Sequence, residues 1–387
     1  MIKIPQKTDF VIGQLEKNGF EAYIVGGCVR DMLLGIEPFD FDVTTSAKPE
    51  EIMEIFEKTV PTGIKHGTVT VIIDKEPIEV TTFRTESGYS DNRHPENVTF
   101  VTSLAEDLSR RDFTVNAIAY NNRSGIIDCF GSMRDLESRT LRAVGAPSKR
   151  FSEDALRILR LFRFAATLNF SIDERTLDAA LNQKEGLENI SRERISIELK
   201  KAVLGQNIKA VSPLIESGAL EFIGINGCPD FSKYKRLNKN PKLSLFAFLY
   251  LANCNVIAVL DELKESNSNK KYAADMLRLL SLETPKTKSD LKTLLDDFSF
   301  EILTDYIELK QTLSNENLGY AKDMLNEISE NNEPYLISHL DINGEELKAL
   351  GITGKKIGKT LELLKNHVIE NPEDNTKEKL IEFLNRQ

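Results

Sequence analysis

Between Gly26 and Asp42, a span of 17 residues, the chain carries Gly26-Gly27-Cys28-Val29-Arg30-Asp31 and then Asp40-Phe41-Asp42. The run Ala22–Val25 ahead of the glycines reads as a strand, and Cys28–Leu34 behind them as a short helix. Two glycines at a strand-to-helix turn let backbone N–H groups approach a phosphate closely, because no side chain stands in the way. Arg30, in the first turn of that helix, adds a charged donor for a triphosphate. Phe39–Thr44 reads as the next strand, so Asp40 and Asp42 project from one face and Phe41 from the other, into the core. Carboxylates at this spacing can share divalent metals, as in-line nucleotidyl transfer requires. Glu79, in a predicted strand Pro77–Thr82, is a candidate third carboxylate. A glycine pair or a D-x-D alone is common. Strand, glycine turn, helix and acidic strand in that order are a far stronger signal.

The first ~140 residues mix such β-rich runs, Thr68–Ile73 among them, with short helices. Ser103 with Glu106 fits a capping box opening a helix at Leu104–Arg110. From Ser152 onward the apolar spacing is helical, as in Leu156, Leu159, Phe162 and again Ile195, Leu199, Val203. Lys233–Lys242 and Asn331–Pro334 read as linkers. At 387 residues the chain has room for two to four domains.

These residues resemble the class II tRNA nucleotidyltransferases, the bacterial-type CCA-adding enzymes and related poly(A) polymerases of the polymerase-β superfamily. The likeness continues through Arg110-Arg111-Asp112-Phe113-Thr114-Val115-Asn116-Ala117, Asp128-Cys129-Phe130-Gly131 with Asp135-Leu136, Glu153-Asp154-Ala155-Leu156-Arg157, and Ser191-Arg192-Glu193-Arg194-Ile195 with Glu198. It implies an α+β, polymerase-β-like head over residues 1–140, then an all-α neck (141–205), body (206–330) and tail (331–387). It also implies Mg²⁺ at Asp40 and Asp42, with Glu79 as a further catalytic carboxylate. Gly26, Gly27, Arg30, Arg111, Asp112, Asn116, Asp154, Arg157, Arg160 and Arg163 are the implied nucleotide-binding set. CTP and ATP would be the substrates, and the acceptor and TΨC half of tRNA the partner, with no protein partner required. Asp112 can accept from a ribose 2′-OH, which favours NTP over dNTP.

Asp154 and Arg157, at i and i+3 on a predicted helix, share a face. Cytosine offers an amino donor (N4) beside an acceptor (N3), and adenine offers N6 beside N1. A carboxylate beside a guanidinium satisfies both, while uracil and guanine present the reverse order. Each mismatch leaves buried polar groups unpaired, at about 1–3 kcal/mol. Glu153, at i−4 from Arg157, would hold the guanidinium. Gly63-Ile64-Lys65-His66-Gly67-Thr68-Val69 looks like the CCA-adding form of that stretch, and the polar loop Thr85–Asn97 favours A addition, because enzymes adding only CC carry a shortened loop there. CC-adding, A-adding and poly(A)-adding variants of the activity stay open at this level.

The formal net charge of −10 argues against nonspecific coating of nucleic acid. A local basic strip exists nonetheless, with Arg142, Lys149, Arg150, Arg157, Arg160 and Arg163 set against Glu153 and Asp154. Near the end, Leu350-Gly351-Ile352-Thr353-Gly354-Lys355-Lys356 resembles a helix hairpin whose second helix begins on Lys355 and Lys356, candidate RNA-phosphate contacts. The four cysteines lack CxxC spacing and are expected as isolated buried thiols. No run approaches the ~20 apolar residues of a membrane span and no apolar leader opens the chain, so a cytoplasmic protein is expected.

Overall fold

The computed structural model describes residues 2–88, 97–234, 237, 240–314 and 316–386. They form two compact units, the first spanning Met1–Cys228 with Glu262–Lys264, the second Pro229–Asp261 with Glu265–Gln387. The expected boundaries at 140 and 205 fall inside the first unit, and that at 330 inside the second.

The first unit is organised on a seven-stranded mixed sheet. Its strands are β1 (Ala22–Val25), β2 (Val43–Thr45), β3 (Thr59–Gly63), β4 (Thr68–Ile73), β5 (Glu76–Thr82), β8 (Ile118–Asn121) and β9 (Gly125–Asp128), in the order β3-β4-β5-β2-β1-β8-β9. All neighbours run antiparallel except β2 and β5. A separate ribbon pairs β6 (Arg84–Ser87) with β7 (Asn97–Phe100), so Thr85, Glu86, Ser87 and Asn97, expected as ends of the 85–97 loop, are strand residues instead, and residues 89–96 lie outside the described residues. Strand β1 is buried throughout because helices α1 (Gln6–Lys17) and α2 (Gly27–Leu33) pack against it. Beside the sheet, Tyr23, Val25, Phe83, Leu104, Leu108, Ala117, Ala119 and Val144 form one apolar cluster. It includes two residues of α4 (Leu104–Ser109), whose N-cap Ser103 accepts from the Glu106 N–H.

After α3 (Pro49–Ile55) and α5 (Ser132–Glu137) in the head, the unit turns helical with α6 (Pro147–Glu153), α7 (Leu156–Leu168), α8 (Glu174–Asn182) and α9 (Arg192–Val203). Helix α7 is buried on almost every face and packs along α9. Gly205 permits the close approach at the end of α9, since a Cβ there would lie 2.6 Å from the Ala166 carbonyl. The second unit is helical. Its most apolar helix, Pro241–Leu251, is buried from Leu243 to Leu249, and no single helix among the described residues is long and apolar enough to cross a membrane. Helices Gly344–Ala349 and Lys355–Glu370 close on Ile342, Leu347, Leu364, Val368 and Leu380.

Two expectations change. The strand expected over Phe39–Thr44 is only Val43–Thr45, so Asp40 and Asp42 lie in an extended lead-in tied to the sheet by Val25 N–H donating to the Asp42 carbonyl at 3.1 Å. Phe41 is half-buried there rather than a core residue, and Phe39 is fully exposed. Of the cysteines, Cys28 is buried but Cys129 is exposed.

One buried carboxylate ties the head together. Asp107 is 0% exposed, and its Oδ1 accepts from Arg110 Nε (3.0 Å), Arg110 Nη2 (2.8 Å) and the Arg84 N–H (3.3 Å). Its Oδ2 accepts from Thr44 Oγ1 at 3.4 Å and faces Arg111 Nη2 at 3.7 Å. It thereby joins α4, β2, the start of β6 and both arginines. Asp107→Ala takes the nearest carboxylate from Arg111 and leaves Arg110 only Glu86, and is expected to destabilise the first unit by about 3–5 kcal/mol. Hydrogen exchange followed peptide by peptide should then show faster exchange over β1, β2 and α4, with the second unit unchanged.

Candidate active site

The site starts at Gly26, where β1 turns into α2. Its φ of 81° and ψ of −129° suit only glycine, and a Cβ there would lie 2.7 Å from Arg111 Nη1. The Gly26 N–H already donates to the Ile118 carbonyl at 3.0 Å, so this residue contributes open space over the turn rather than a free donor. Arg30 is buried in α2, where Nη1 donates to Asn116 Oδ1 at 2.6 Å and Nε to Asp31 at 2.8 Å. Beneath the turn, burial and then the charge of Asp42 push the Cys28 thiol up to about 11, which removes it as a nucleophile at neutral pH.

The parallel register of β2 on β5 pairs Val43 with Val80, and one step earlier brings Asp42 alongside Glu79. Asp40, Asp42 and Glu79 line one cavity of about 670 Å³ with Phe39, Phe41 and Thr70. Desolvation, then the charge of Asp40, and further the charge of Glu79 push the Asp42 carboxyl above its ordinary value, while Arg111 pulls it down. Among the described residues no three acidic, His or Cys side chains yet enclose a metal position. The donor set nonetheless fits a hard divalent cation, because all three groups are oxygen donors whose mutual repulsion a cation relieves.

Arg111 crosses from Asp107 toward Gly26 and Asp42, and its Nε is buried without a partner among the described residues. Asp112 is the opposite case. Its Oδ1 accepts from the Phe113 N–H (2.8 Å) and Asn116 Nδ2 (3.0 Å), and its Oδ2 from Arg160 Nε (2.8 Å) and Nη2 (2.7 Å). Burial alone would raise this carboxyl, but Arg160, Asn116 and the Phe113 N–H hold it well below the usual carboxylate range. Four donors leave Asp112 no idle lone pair for a ribose hydroxyl.

In the neck the expected shared helix face of Asp154 and Arg157 does not exist. Asp154 stands in a break between α6 and α7, with φ −144° and ψ 104°, and its Oδ1 accepts from the N–H of Leu156, the first residue of α7, at 3.0 Å. Its Oδ2 accepts from Arg194 Nη2 at 3.1 Å. Arg157, also buried, donates to Glu153 (2.9 Å), the Arg150 carbonyl (3.2 Å) and the Arg110 carbonyl (3.0 Å). Arg163 donates to Glu198 at 2.9 Å, and Arg30, Arg160 and Arg163 all pack against the Phe164 ring. The basic strip is therefore mostly internal: Arg142 meets Asp135 and Asp173, Arg150 meets Glu153, and Arg157, Arg160 and Arg163 each hold a carboxylate. Asp107, Arg194, Glu198 and Phe164 were not assigned to the site from sequence. Asp107 carried a local signal, an acid three and four residues ahead of an arginine pair, and Arg194 and Glu198 stood in the family motif without a role. In the second unit, Lys355 and Lys356 are exposed at the first turn of their helix, after a Gly354 with φ 62°.

Residues 22–142 match the family described as "Poly A polymerase head domain", 169–226 "Probable RNA and SrmB- binding site of polymerase A", and 239–384 "tRNA nucleotidyltransferase domain 2 putative". The CCA-adding enzyme of Lactococcus lactis subsp. cremoris is 41% identical over 93% of this chain and 91% of its own length. That of Staphylococcus epidermidis is 36% identical over 97% and 96%. Among solved structures, the Bacillus stearothermophilus CCA-adding enzyme in complex with CTP superposes with a TM-score of 0.82 at 30% identity, over 100% of this chain and 99% of that one. The Thermotoga maritima CCA-adding enzyme complexed with tRNA shares the fold, with a TM-score of 0.71 at 24% identity over 99% and 96%.

A carboxyl held above its unfolded value stabilises the fold only while protonated, and that contribution is lost as pH rises through its folded value. Asp42→Asn is therefore expected to raise the unfolding temperature at neutral pH. The gain should close on acidification below about pH 4, the ordinary aspartate value. Added divalent cation should raise the parent and not the variant, and calorimetry across pH checks both.

Proposed function

The chain belongs to the family of CCA-adding tRNA nucleotidyltransferases, and from that premise we propose that it adds C, C and A to the 3′ end of tRNA, taking CTP and ATP without a nucleic-acid template. The observation that carries the site assignment is Arg111, whose Nη1 stands over Gly26 and whose buried Nε, on the same side chain beside Asp42, has no partner among the described residues. An orphaned buried donor costs about 1–3 kcal/mol, and a nucleotide's phosphate is the acceptor that would satisfy it.

In this reading the primer 3′-hydroxyl attacks the α-phosphorus, the new O3′–Pα bond forms as the bond to the bridging oxygen breaks, and pyrophosphate leaves. Asp40 and Asp42, with Glu79 nearby, would hold divalent metal, with Mg²⁺ suited to the hard oxygen donors; when bound, it makes the 3′-hydroxyl more acidic and neutralises charge on the leaving group. Arg111 and Arg30 orient the triphosphate. Asn116 fixes Arg30, and Asp112 fixes Arg160 and Asn116, so Asp112 acts by positioning cations. Base choice falls to Asp154 as acceptor from N4 of C or N6 of A, and to Arg157 as donor to the neighbouring ring nitrogen. Three bonds hold the Arg157 guanidinium, which leaves it N–H groups for a ligand.

Incubated with tRNA lacking its CCA, Mg²⁺ and single labelled nucleotides, the protein is expected to incorporate C first, and A only on RNA already carrying CC. A addition to the unextended tRNA, or repeated A addition, would overturn the CCA reading in favour of an A-adding or poly(A)-adding one. The reading also assigns Lys355 and Lys356 to RNA phosphate. Reversing both to Glu should weaken binding of full-length tRNA and flatten its dependence on salt, measured by titration at several ionic strengths. Transfer to a minimal acceptor-stem substrate should be unaffected.

A further inference from the structure

We propose that Arg194 is a specificity-determining positioning residue, which fixes the Asp154 carboxylate in the orientation from which it meets the amino group of the incoming base. The inference rests on the base-reading role given to Asp154 above. Because Asp154 stands in a break with extended backbone, no regular helix orients its side chain. Two donors do so instead, the Leu156 N–H on Oδ1 at 3.0 Å and Arg194 Nη2 on Oδ2 at 3.1 Å. The first belongs to α7 and the second to α9, so the carboxylate is clamped between two of the neck's helices. Arg157 does not share this task, since its guanidinium holds Glu153 and two main-chain carbonyls. Arg160 on α7 also feels the Asp154 charge but gives its bonds to Asp112, and Glu153 faces Arg150 and Arg157.

A second observation separates Arg194 from an ordinary helix-to-helix ion pair. Its Nη1 is buried and has no partner among the described residues. An unmade bond of this kind costs about 1–3 kcal/mol, which a purely structural tie between α7 and α9 gives no reason to bear. Arg163 and Glu198 already make that tie with a 2.9 Å bond. A guanidinium with one fork on Asp154 and one unused can tighten on the carboxylate when a nucleotide closes the site.

The effect is expected chiefly on wrong bases. Held at both oxygens, Asp154 presents a fixed acceptor, and the O4 of uracil set against it meets an acceptor that cannot turn aside. With Arg194 gone only Oδ1 stays tied. The carboxylate can then rotate and admit a water between itself and a carbonyl, so the penalty for uracil falls while the bond to a cytosine amino group can still form.

The test measures kcat/KM for CTP and UTP on a tRNA lacking CCA, in the parent, Arg194→Gln, Arg194→Lys and Asp154→Asn. Arg194→Gln is expected to raise the UTP-to-CTP ratio about tenfold, the scale of one hydrogen bond in discrimination. Arg194→Lys, which keeps a charged donor, should recover most of the selectivity. If the Gln variant does not fold, as judged by circular dichroism, Arg194→Met keeps the apolar stem without the donors and carries the same expectation. A uniform fall in kcat with both nucleotides at the parental ratio would overturn the inference and leave Arg194 a structural tie. If Asp154→Asn changes the ratio and Arg194→Gln does not, the inference fails and base reading by Asp154 stands. If neither changes it, both fail.

Discussion

The bond between Asp112 and Arg160 is the joint on which the first unit's chemistry depends. A buried carboxylate is costly unless every lone pair finds a donor, and Asp112, 8% exposed, meets that demand with donors from two parts of the chain. Its own turn supplies the Phe113 N–H and Asn116, while α7 supplies both forks of Arg160. The consequences propagate. Asn116 passes its carbonyl oxygen to Arg30 in α2, and Glu198 on α9 takes Arg163 at 2.9 Å and faces Arg160 at 3.8 Å. Glycine turn, head and neck are thus linked by one run of charged hydrogen bonds in which no member can move without exposing another. Phe164 supports it from below, its ring approached by three guanidiniums and its edge met by Phe113.

Against that saturated network, the surroundings of Asp42 and Arg111, the proposed reacting end, are incomplete. Asp112 and Asp107 are buried carboxylates matched by nearby cations, whereas Asp42 is raised by desolvation and by Asp40 and Glu79 with only Arg111 in opposition. Arg111 likewise keeps a buried N–H without a partner among the described residues. Groups left short of partners inside an otherwise satisfied framework mark where a ligand is to be bound, since the unliganded fold gains nothing from them. The neighbouring arginines show the division of labour. Arg110 is held at both ends by Asp107 and Glu86, and Arg111 is held only loosely, at 3.7 Å.

Much of this was legible in the sequence where local rules govern. Strands β1 and β4 fall on the residues their β-branched runs indicate, and the glycine turn and the Ser103 cap follow from side-chain chemistry. The misses have physical causes. Asp40 and Asp42 look like strand residues, but β1 ends at Val25 and turns at Gly26, so the segment ahead of Val43 has only the Asp42 carbonyl to pair. The break at Asp154 was masked by apolar spacing at Leu156, Leu159 and Phe162, although an Asp ahead of an apolar run also competes for nearby backbone N–H groups, as Asp154 does for that of Leu156. Partner choice over long separations was not legible at all. Arg160 meets a carboxylate 48 residues away and Arg194 one 40 away, and no local pattern encodes either.

That last point alters what the charge of the chain means. Counting residues from Arg142 to Arg163 suggests a basic strip, yet its arginines neutralise Asp135, Asp173, Glu153, Asp112 and Glu198 one by one. Paired charges of this kind project little field into solvent. Beyond a screening length of roughly 8–10 Å even the formal net charge of −10 is largely screened, and inside that length its sign gives a polyanion no general attraction. Long-range attraction therefore contributes little to capture of a polyanion by either unit, and the contacts proposed for Lys355 and Lys356 in the second unit would act at short range, through exposed cations. A unit with so few exposed, unpaired cations discriminates by fit, since only a ligand that brings its phosphates to them overcomes the repulsion it meets elsewhere.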